Sequence, residues 1–309
     1  MKGLLSDVPL TPLRMEHRAQ VEPFSRRFPQ RISGYTFASL MAWNAVDQYA
    51  WAIHQGDTLF ITCCDYDGSR QFMQPVGVFS AECEKEFLEW LARLDRPVRI
   101  LDVSDQFVNE HAWFASHFEV RGDRENANYI CRAKDLALLR GGLYARKRNH
   151  IAKAARSFPW TVDPLTGNCG TDCLRVLDDI AKTRTTEAEQ PENATSLEEE
   201  QGALAFTLSH FAELDHRGVL IRVGAEPVAF SIYEALDPNT VVVHFEKANR
   251  AYRGICQVVN QEVAKSILGQ GYAWINYEED MGIPGLRQAK LSYGPAELRL
   301  SYTLTFKLR

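Results

Sequence analysis

The chain has no run of about 18 apolar residues, so no segment is long enough to cross a bilayer as a helix. It has no excess of positive charge. Its 35 Lys and Arg stand against 40 Asp and Glu, and the formal net charge of -5 argues against general DNA binding. It has no CxxC pair, and its seven cysteines are an odd number that includes the neighbours Cys63 and Cys64. That usage suits reduced thiols in a cytoplasm rather than a disulfide framework or a zinc site. The start, Met1-Lys-Gly-Leu-Leu-Ser-Asp-Val-Pro9, is too poor in apolar residues for a secretory signal. What is present, 309 residues of which 45% are hydrophobic and 24% charged, is an ordinary globular composition with length for two cores. A cytoplasmic protein without a membrane span is the expectation.

The pattern along the chain is mixed α/β. Tyr49–His54 and Leu59–Cys64 read as strands joined by a turn at Gln55-Gly-Asp57. Ala81–Leu94 carries a helical apolar stripe through Cys83, Phe87, Leu88 and Leu91. A strand at Pro97–Val103, a helix over Asp105–His117 and a strand at Ala127–Cys131 follow. A basic helix over about Tyr144–Ser157 comes next, and the turn around Pro159 and Pro164–Gly167 sets the expected domain boundary, 1–160 against 161–309. In the second half, helices over Thr171–Thr183 and Ser196–Leu214 flank an acidic segment, Glu187–Glu200, expected to be a solvated loop or a lid. Strands at Val219–Val223, Pro227–Tyr233 and Thr240–Phe245 form an antiparallel meander. An amphipathic helix over Gly254–Leu268, a strand at Tyr272–Asn276 and a last strand at Leu298–Leu308 complete the order.

Five groups of residues could carry chemistry. His244-Phe-Glu246-Lys247 ends a strand; alternation puts His244 and Glu246 on one face, where a carboxylate beside an imidazole makes a general base. Glu278-Glu279-Asp280 leaves the next strand directly, and three adjacent carboxylates could raise one pKa, receive an ammonium or act as a base, while nothing in the spacing demands a metal. The turn Arg250-Ala-Tyr-Arg253-Gly254-Ile-Cys256 opens a helix, where backbone N–H groups and two arginines suit a pyrophosphate, although alanine and cysteine flank the one glycine. In the basic helix, Arg146, Asn149, His150 and Lys153 share one side, beside Lys147 and Arg148, in a stretch without acidic residues between Asp135 and Asp163. In an acidic protein this favours a phosphate-bearing partner. Lys290 and Tyr293 are helical neighbours, with the tyrosine placed to protonate a leaving group. Each group also has a plain structural reading, as a polar pair, an acidic loop, a helix start or a solvated face.

The segments Tyr35–Trp43, Leu143–His150, Val228–Ser231, His244–Ala248, Asn276–Gly282 and Gly285–Tyr293 together resemble the phosphatidylglycerol lysyltransferase C-terminal-domain family in its stand-alone form. The resemblance implies two tandem GNAT-like (acyl-CoA N-acyltransferase) domains in an α/β, or α+β, fold. It also implies kinship with enzymes that move an aminoacyl group from charged tRNA to a lipid or peptide amine or hydroxyl. Their membrane-embedded region has no counterpart here. Family-motif positions are Lys147, Arg148, Asn149, His150, His244, Glu246, Lys247, Asn276, Glu278, Glu279, Asp280, Arg287 and Lys290.

The leading expectation is an acyl- or aminoacyl-transferase. Glu246, His244, Glu278, Glu279 and Tyr293 supply the acid–base groups. Lys147, Arg148, Asn149, His150, Lys247, Arg250, Arg253, Gly254, Asn276, Asp280, Arg287 and Lys290 hold the donor and acceptor. The acceptor is a small molecule, lipid or peptide, and the donor the acceptor end of an aminoacyl-tRNA. The alternatives are a coenzyme A-dependent N-acetyltransferase, with coenzyme A or acyl-CoA as the cofactor, and a non-catalytic ligand-binding module.

Overall fold

A computed structural model describes residues 10–65, 68–94, 96–184 and 194–307. The secretory-signal question at Met1–Pro9 and the first half of the acidic segment, 187–193, lie outside the described residues. The chain divides into two compact units, one running to Asn128 and resuming at Arg299, the other covering Tyr129–Leu298. Residue 160 therefore falls inside the second unit, which holds the basic helix.

The first unit contains β1 (Thr11–Pro12), α1 (Arg18–Arg27), α2 (Phe37–Asp47), β2 (Ala50–His54), β3 (Thr58–Cys64), β4 (Arg70–Met73), β5 (Val76–Gly77), α3 (Ala81–Leu91), β6 (Arg99–Ser104), α4 (Asp105–Glu110) and α5 (Ala112–Ala115). It also holds the first part of β7 (Phe118–Arg132) and most of a last strand at Glu297–Phe306. The turn between β2 and β3 forms with Gln55 and Gly56 both at positive φ, the twist that suits a tight hairpin. The helix expected over Asp105–His117 breaks at His111, whose ψ of 41° leaves the helical region. The core is aromatic: Phe60, Phe72, Phe79, Phe87, Phe107 and Phe114 are all buried, mostly edge to face. Each such ring contributes roughly 2–3 kcal/mol by leaving water.

The second unit runs from the end of β7 through α6 (Ala133–Leu138), α7 (Ala145–Ser157), β8 (Thr161–Pro164), α8 (Gly170–Arg184), α9 (Ala194–Ser209), β9 (Arg217–Val223), β10 (Glu226–Ala235), β11 (Thr240–Ala248), α10 (Ile255–Gly269), β12 (Trp274–Asn276) and α11 (Pro284–Leu291); the last strand of the chain is then β13. Its strand order is β7-β12-β11-β10-β9-β8. All pairs are antiparallel except β11–β12. The fold is therefore the expected one, mixed α/β with mostly antiparallel sheets flanked by helices. The apolar stripe predicted for α10 is buried at Ile255, Val258, Val259, Val263 and Ile267, packed on Val219, Ala229, Val241 and Ile275.

Candidate active site

The site grows from the one parallel strand pair of the second unit. β11 and β12 pair at Thr240–Trp274, Val241–Ile275 and Val242–Asn276, and go no further. Past Asn276 the chain turns away, with Glu278 and Met281 in the left-handed region (φ 57° and 51°). Next to that parting the β10–β11 ladder slips: Tyr233 faces Val243 and Ile232 faces Phe245, leaving His244 as the extra residue of a bulge. The bulge overturns one expectation. Side-chain alternation is broken at His244, so His244 and Glu246 do not share a face. His244 reaches Glu234, whereas Glu246 sits opposite Ser231 and reaches α10.

On the α10 face, Asn260 donates from Nδ2 to Glu246 Oε2 at 3.3 Å and to Tyr277 Oη at 3.0 Å. Burial pushes the Glu246 carboxyl up to about 7, against the opposing pull of the Asn260 N–H and the Lys290 charge. Burial likewise raises the Tyr277 phenol, with Glu246 adding to it. Lys290 donates to the carbonyls of Tyr277 (2.5 Å) and Glu279, and its burial lowers its pKa against the pull of nearby carboxylates.

On the opposite face, His244 lies between two carboxylates, with Nε2 2.8 Å from Glu234 and Nδ1 2.8 Å from Glu278. Burial alone would lower its pKa; Glu278 and Glu234 outweigh it and hold the imidazolium up at about 10. An imidazole that stays charged at neutral pH donates hydrogen bonds and accepts no proton. His244 thus suits a clamp across the parting better than a base.

The three adjacent carboxylates do not face one another. Glu278 turns to His244, while Asp280 is fully buried and held by Arg287 (2.8 and 2.7 Å) and by the Tyr129 hydroxyl. Burial would raise the Asp280 pKa, but these bonds hold it well below the usual carboxylate range. Lys147 faces inward, its ammonium 3.5 Å from the Tyr293 ring centre and 2.7 Å from Ser292 Oγ; burial and Arg146 lower it to about 8.

The sequence profile of "Phosphatidylglycerol lysyltransferase, C-terminal" matches residues 25–305. The chain belongs to that family. A Bacteroides thetaiotaomicron protein of unknown function is 27% identical over 97% of this chain and 100% of its own, with a TM-score of 0.86. The L-PGS structure from Bacillus licheniformis aligns at TM-score 0.62 and 14% identity over 94% of this chain and 92% of that one. FemX aligns at TM-score 0.60 and 10% identity over 97% of each. The last two share the fold. No curated protein matches the sequence.

In this member of the lysyltransferase C-terminal family the basic helix divides its residues. Arg146, Asn149, His150 and Lys153 are exposed along α7, whereas Arg148 donates to the carbonyls of Leu139 (2.5 Å) and Gly141 (2.7 Å), closing the end of α6. Arg250 and Arg253 are exposed on the turn before α10. Gly254 in that turn has φ 94°, and a Cβ there would lie 2.6 Å from the His150 carbonyl oxygen, so close packing of α7 already requires a glycine. Lys247 pairs with Glu200 of α9 at 2.7 Å, and Asn276 accepts from the Glu278 N–H. Asn260 and Glu234 escaped the sequence reading, and Ser231 and Tyr277, although inside the segments that carry the resemblance, were given no role. A signal was present for Asn260, an amide in a run of buried valines (Val258, Val259, Val263). Glu234, at the end of an apolar strand, left a weaker one.

Proposed function

We propose that this chain is an acyltransferase of the aminoacyl-transferring kind, with Glu246 as its general base. The observation that carries the reading is the Glu246 carboxyl at the parting of β11 and β12, raised to about 7 and oriented by Asn260. A base matched to neutral pH is what proton removal from an attacking amine or hydroxyl needs. In the step envisaged, the acceptor's N–H or O–H proton passes to Glu246 as its lone pair attacks the donor's ester carbonyl. The tetrahedral oxyanion collapses, the new C–N or C–O bond stays, and the leaving oxygen takes the proton back from Glu246. The bulge at His244 would turn a backbone N–H of β11 toward the oxyanion. The exposed Arg146, His150 and Lys153 of α7, with Arg250 and Arg253, form the positive surface for the phosphates of a charged tRNA. A lipid or peptide amine or hydroxyl is the acceptor. The free thiols Cys63, Cys64, Cys83, Cys131, Cys173 and Cys256 agree with a cytoplasmic setting.

The test offers purified protein labelled aminoacyl-tRNA and, separately, acetyl-coenzyme A, with a panel of amines and alcohols. Transfer from tRNA that Glu246→Gln removes supports the reading. Transfer that Glu246→Gln leaves untouched removes Glu246 as base, and transfer from acetyl-coenzyme A alone replaces the donor. Absence of any transfer by the folded protein sinks the enzyme reading.

A further inference from the structure

The chemistry above leaves two oxygens beside Glu246 without a role. Asn260 is 2% exposed, and its Nδ2 serves both Glu246 and Tyr277. That fixes the amide, and its Oδ1 has no hydrogen-bond partner among the described residues. Ser231, fully buried, stands directly across the β10–β11 ladder from Glu246, and its Oγ is likewise unpartnered. A buried polar atom without a partner is uncommon and costly. Two of them flank one carboxylate, and all three groups are hydrogen-bond acceptors on one face of the sheet. The nearest cation does not answer them: Lys290 directs its ammonium to the carbonyls of Tyr277 and Glu279.

We propose that Glu246, Asn260 Oδ1 and Ser231 Oγ form a receptor for a primary amine, so that the acceptor of the transfer is an amine rather than an alcohol. The word acceptor rests on the transferase reading; the receptor stands on its own geometry. An ammonium group brings three N–H donors to three acceptors. An alcohol can donate once and accept from the Ser231 hydroxyl, but it brings no charge to Glu246, so the carboxylate forgoes the charge-assisted bond that an ammonium makes. Glu246 is the partly exposed member, so the amine enters past it.

The test titrates the full chain with n-butylammonium chloride and, as a control of equal size, butan-1-ol. Saturable movement of the Asn260 side-chain amide signal in nitrogen-15 NMR with the amine alone is the expected result. Ser231→Ala should weaken that binding about tenfold without lowering the melting temperature, because it removes a hydroxyl that bonds nothing. Asn260→Leu should abolish it, read by calorimetry. Equal response to amine and alcohol, or unchanged affinity in Ser231→Ala, overturns the receptor; the oxygens then serve only a structural water. Transfer to alcohols as readily as to amines overturns the inference but leaves the transferase reading standing. Amine binding without transfer from either donor does the reverse.

Discussion

Each unit has a parallel strand pair that parts, and the two partings are filled differently. In the first unit β4 and β6 pair at Phe72–Ile100 and Met73–Leu101, and the next residues are Gln74 and Asp102. There Gln74 Oε1 accepts from both the N–H and the hydroxyl of Ser104 (2.8 and 3.0 Å), and its amide also bonds Gln30. The Gln74 N–H donates to the Tyr35 oxygen (2.9 Å), whose hydroxyl donates to the Asp102 carbonyl (2.8 Å). Neutral amides and hydroxyls use each other up, and the Asp102 carboxyl, raised by burial to about 6, accepts from the Ser301 hydroxyl at 3.4 Å. In the second unit the same kind of place holds a carboxyl near 7, a charged imidazole between two carboxylates and two buried acceptors without partners. A satisfied neutral network locks a fold, whereas unmatched or titratable groups are a cost that a ligand or a proton can offset. The comparison supports placing the proposed chemistry in the second unit.

The largest expected effect breaks the comparison outright. Glu246→Gln should lower transfer by about 10²–10⁴-fold while leaving the fold intact. Gln74→Leu should do the opposite, costing about 3 kcal/mol by stranding Ser104 and Gln30 while turnover per folded molecule holds. Single-turnover transfer and denaturant melts on the pair decide it. If Gln74→Leu loses turnover and Glu246→Gln only stability, the assignment of roles is reversed.

Next is the clamp. His244→Gln leaves Glu234 and Glu278 without the charge between them and should cost about 3 kcal/mol at pH 7. The cost should shrink toward pH 10, where the raised imidazolium pKa no longer favours the folded state. A cost that is the same at both pH values would mean that the imidazolium acts by packing alone.

How much of this could be read from the residues follows from what alternation can and cannot see. The strands around Val219–Phe245 and the α10 stripe were legible because apolar residues at period 2 and 3.6 have few other solutions. Glu246 was legible as a carboxylate at a strand end, but its face was not. A bulge is a matter of register with a neighbouring strand, and nothing in Val243-His244-Phe245 announces it. The separation of Glu278 from Asp280 depends on two left-handed residues, Glu278 and Met281, of types that rarely adopt that backbone. Lys147 looked like part of a solvated basic run, yet its inward turn depends on Tyr293, 146 residues later in the chain.

The helix starts sharpen the comparison further. Helix α3 opens with Ser80, whose hydroxyl accepts from the Cys83 N–H at 3.2 Å, whereas α10 opens with Gly254 and no side-chain cap. Ser80→Ala should cost about 1 kcal/mol. Gly254→Ala should cost about 2 kcal/mol, from the positive φ and the contact with the His150 carbonyl. If Gly254 serves only that packing, Arg253→Ala will leave the melting temperature alone and weaken tRNA binding, separating the arginines' role from the glycine's. Loss of both properties in Arg253→Ala would tie the turn's charge to the fold instead.

The smallest effect is a slope. Glu246 has its folded pKa raised from an ordinary 4.5 to about 7, so the folded state keeps a proton that the unfolded chain releases. Its contribution is then fully present below about pH 4.5 and is lost as pH rises through 7. The change between pH 5 and 8 is on the order of 1 kcal/mol once solvent access to the carboxyl is allowed for. Asp102, raised by burial to about 6, adds a slope of the same sign from the first unit, complete by pH 7. Glu246→Gln should therefore flatten the stability profile between about pH 4.5 and 7, and Asp102→Asn should flatten it between about pH 4 and 6. Melting curves at half-unit steps read both. Parallel profiles for wild type and Glu246→Gln would mean that the carboxyl is ionised in the folded protein at neutral pH, and the base at the parting would have to be sought elsewhere.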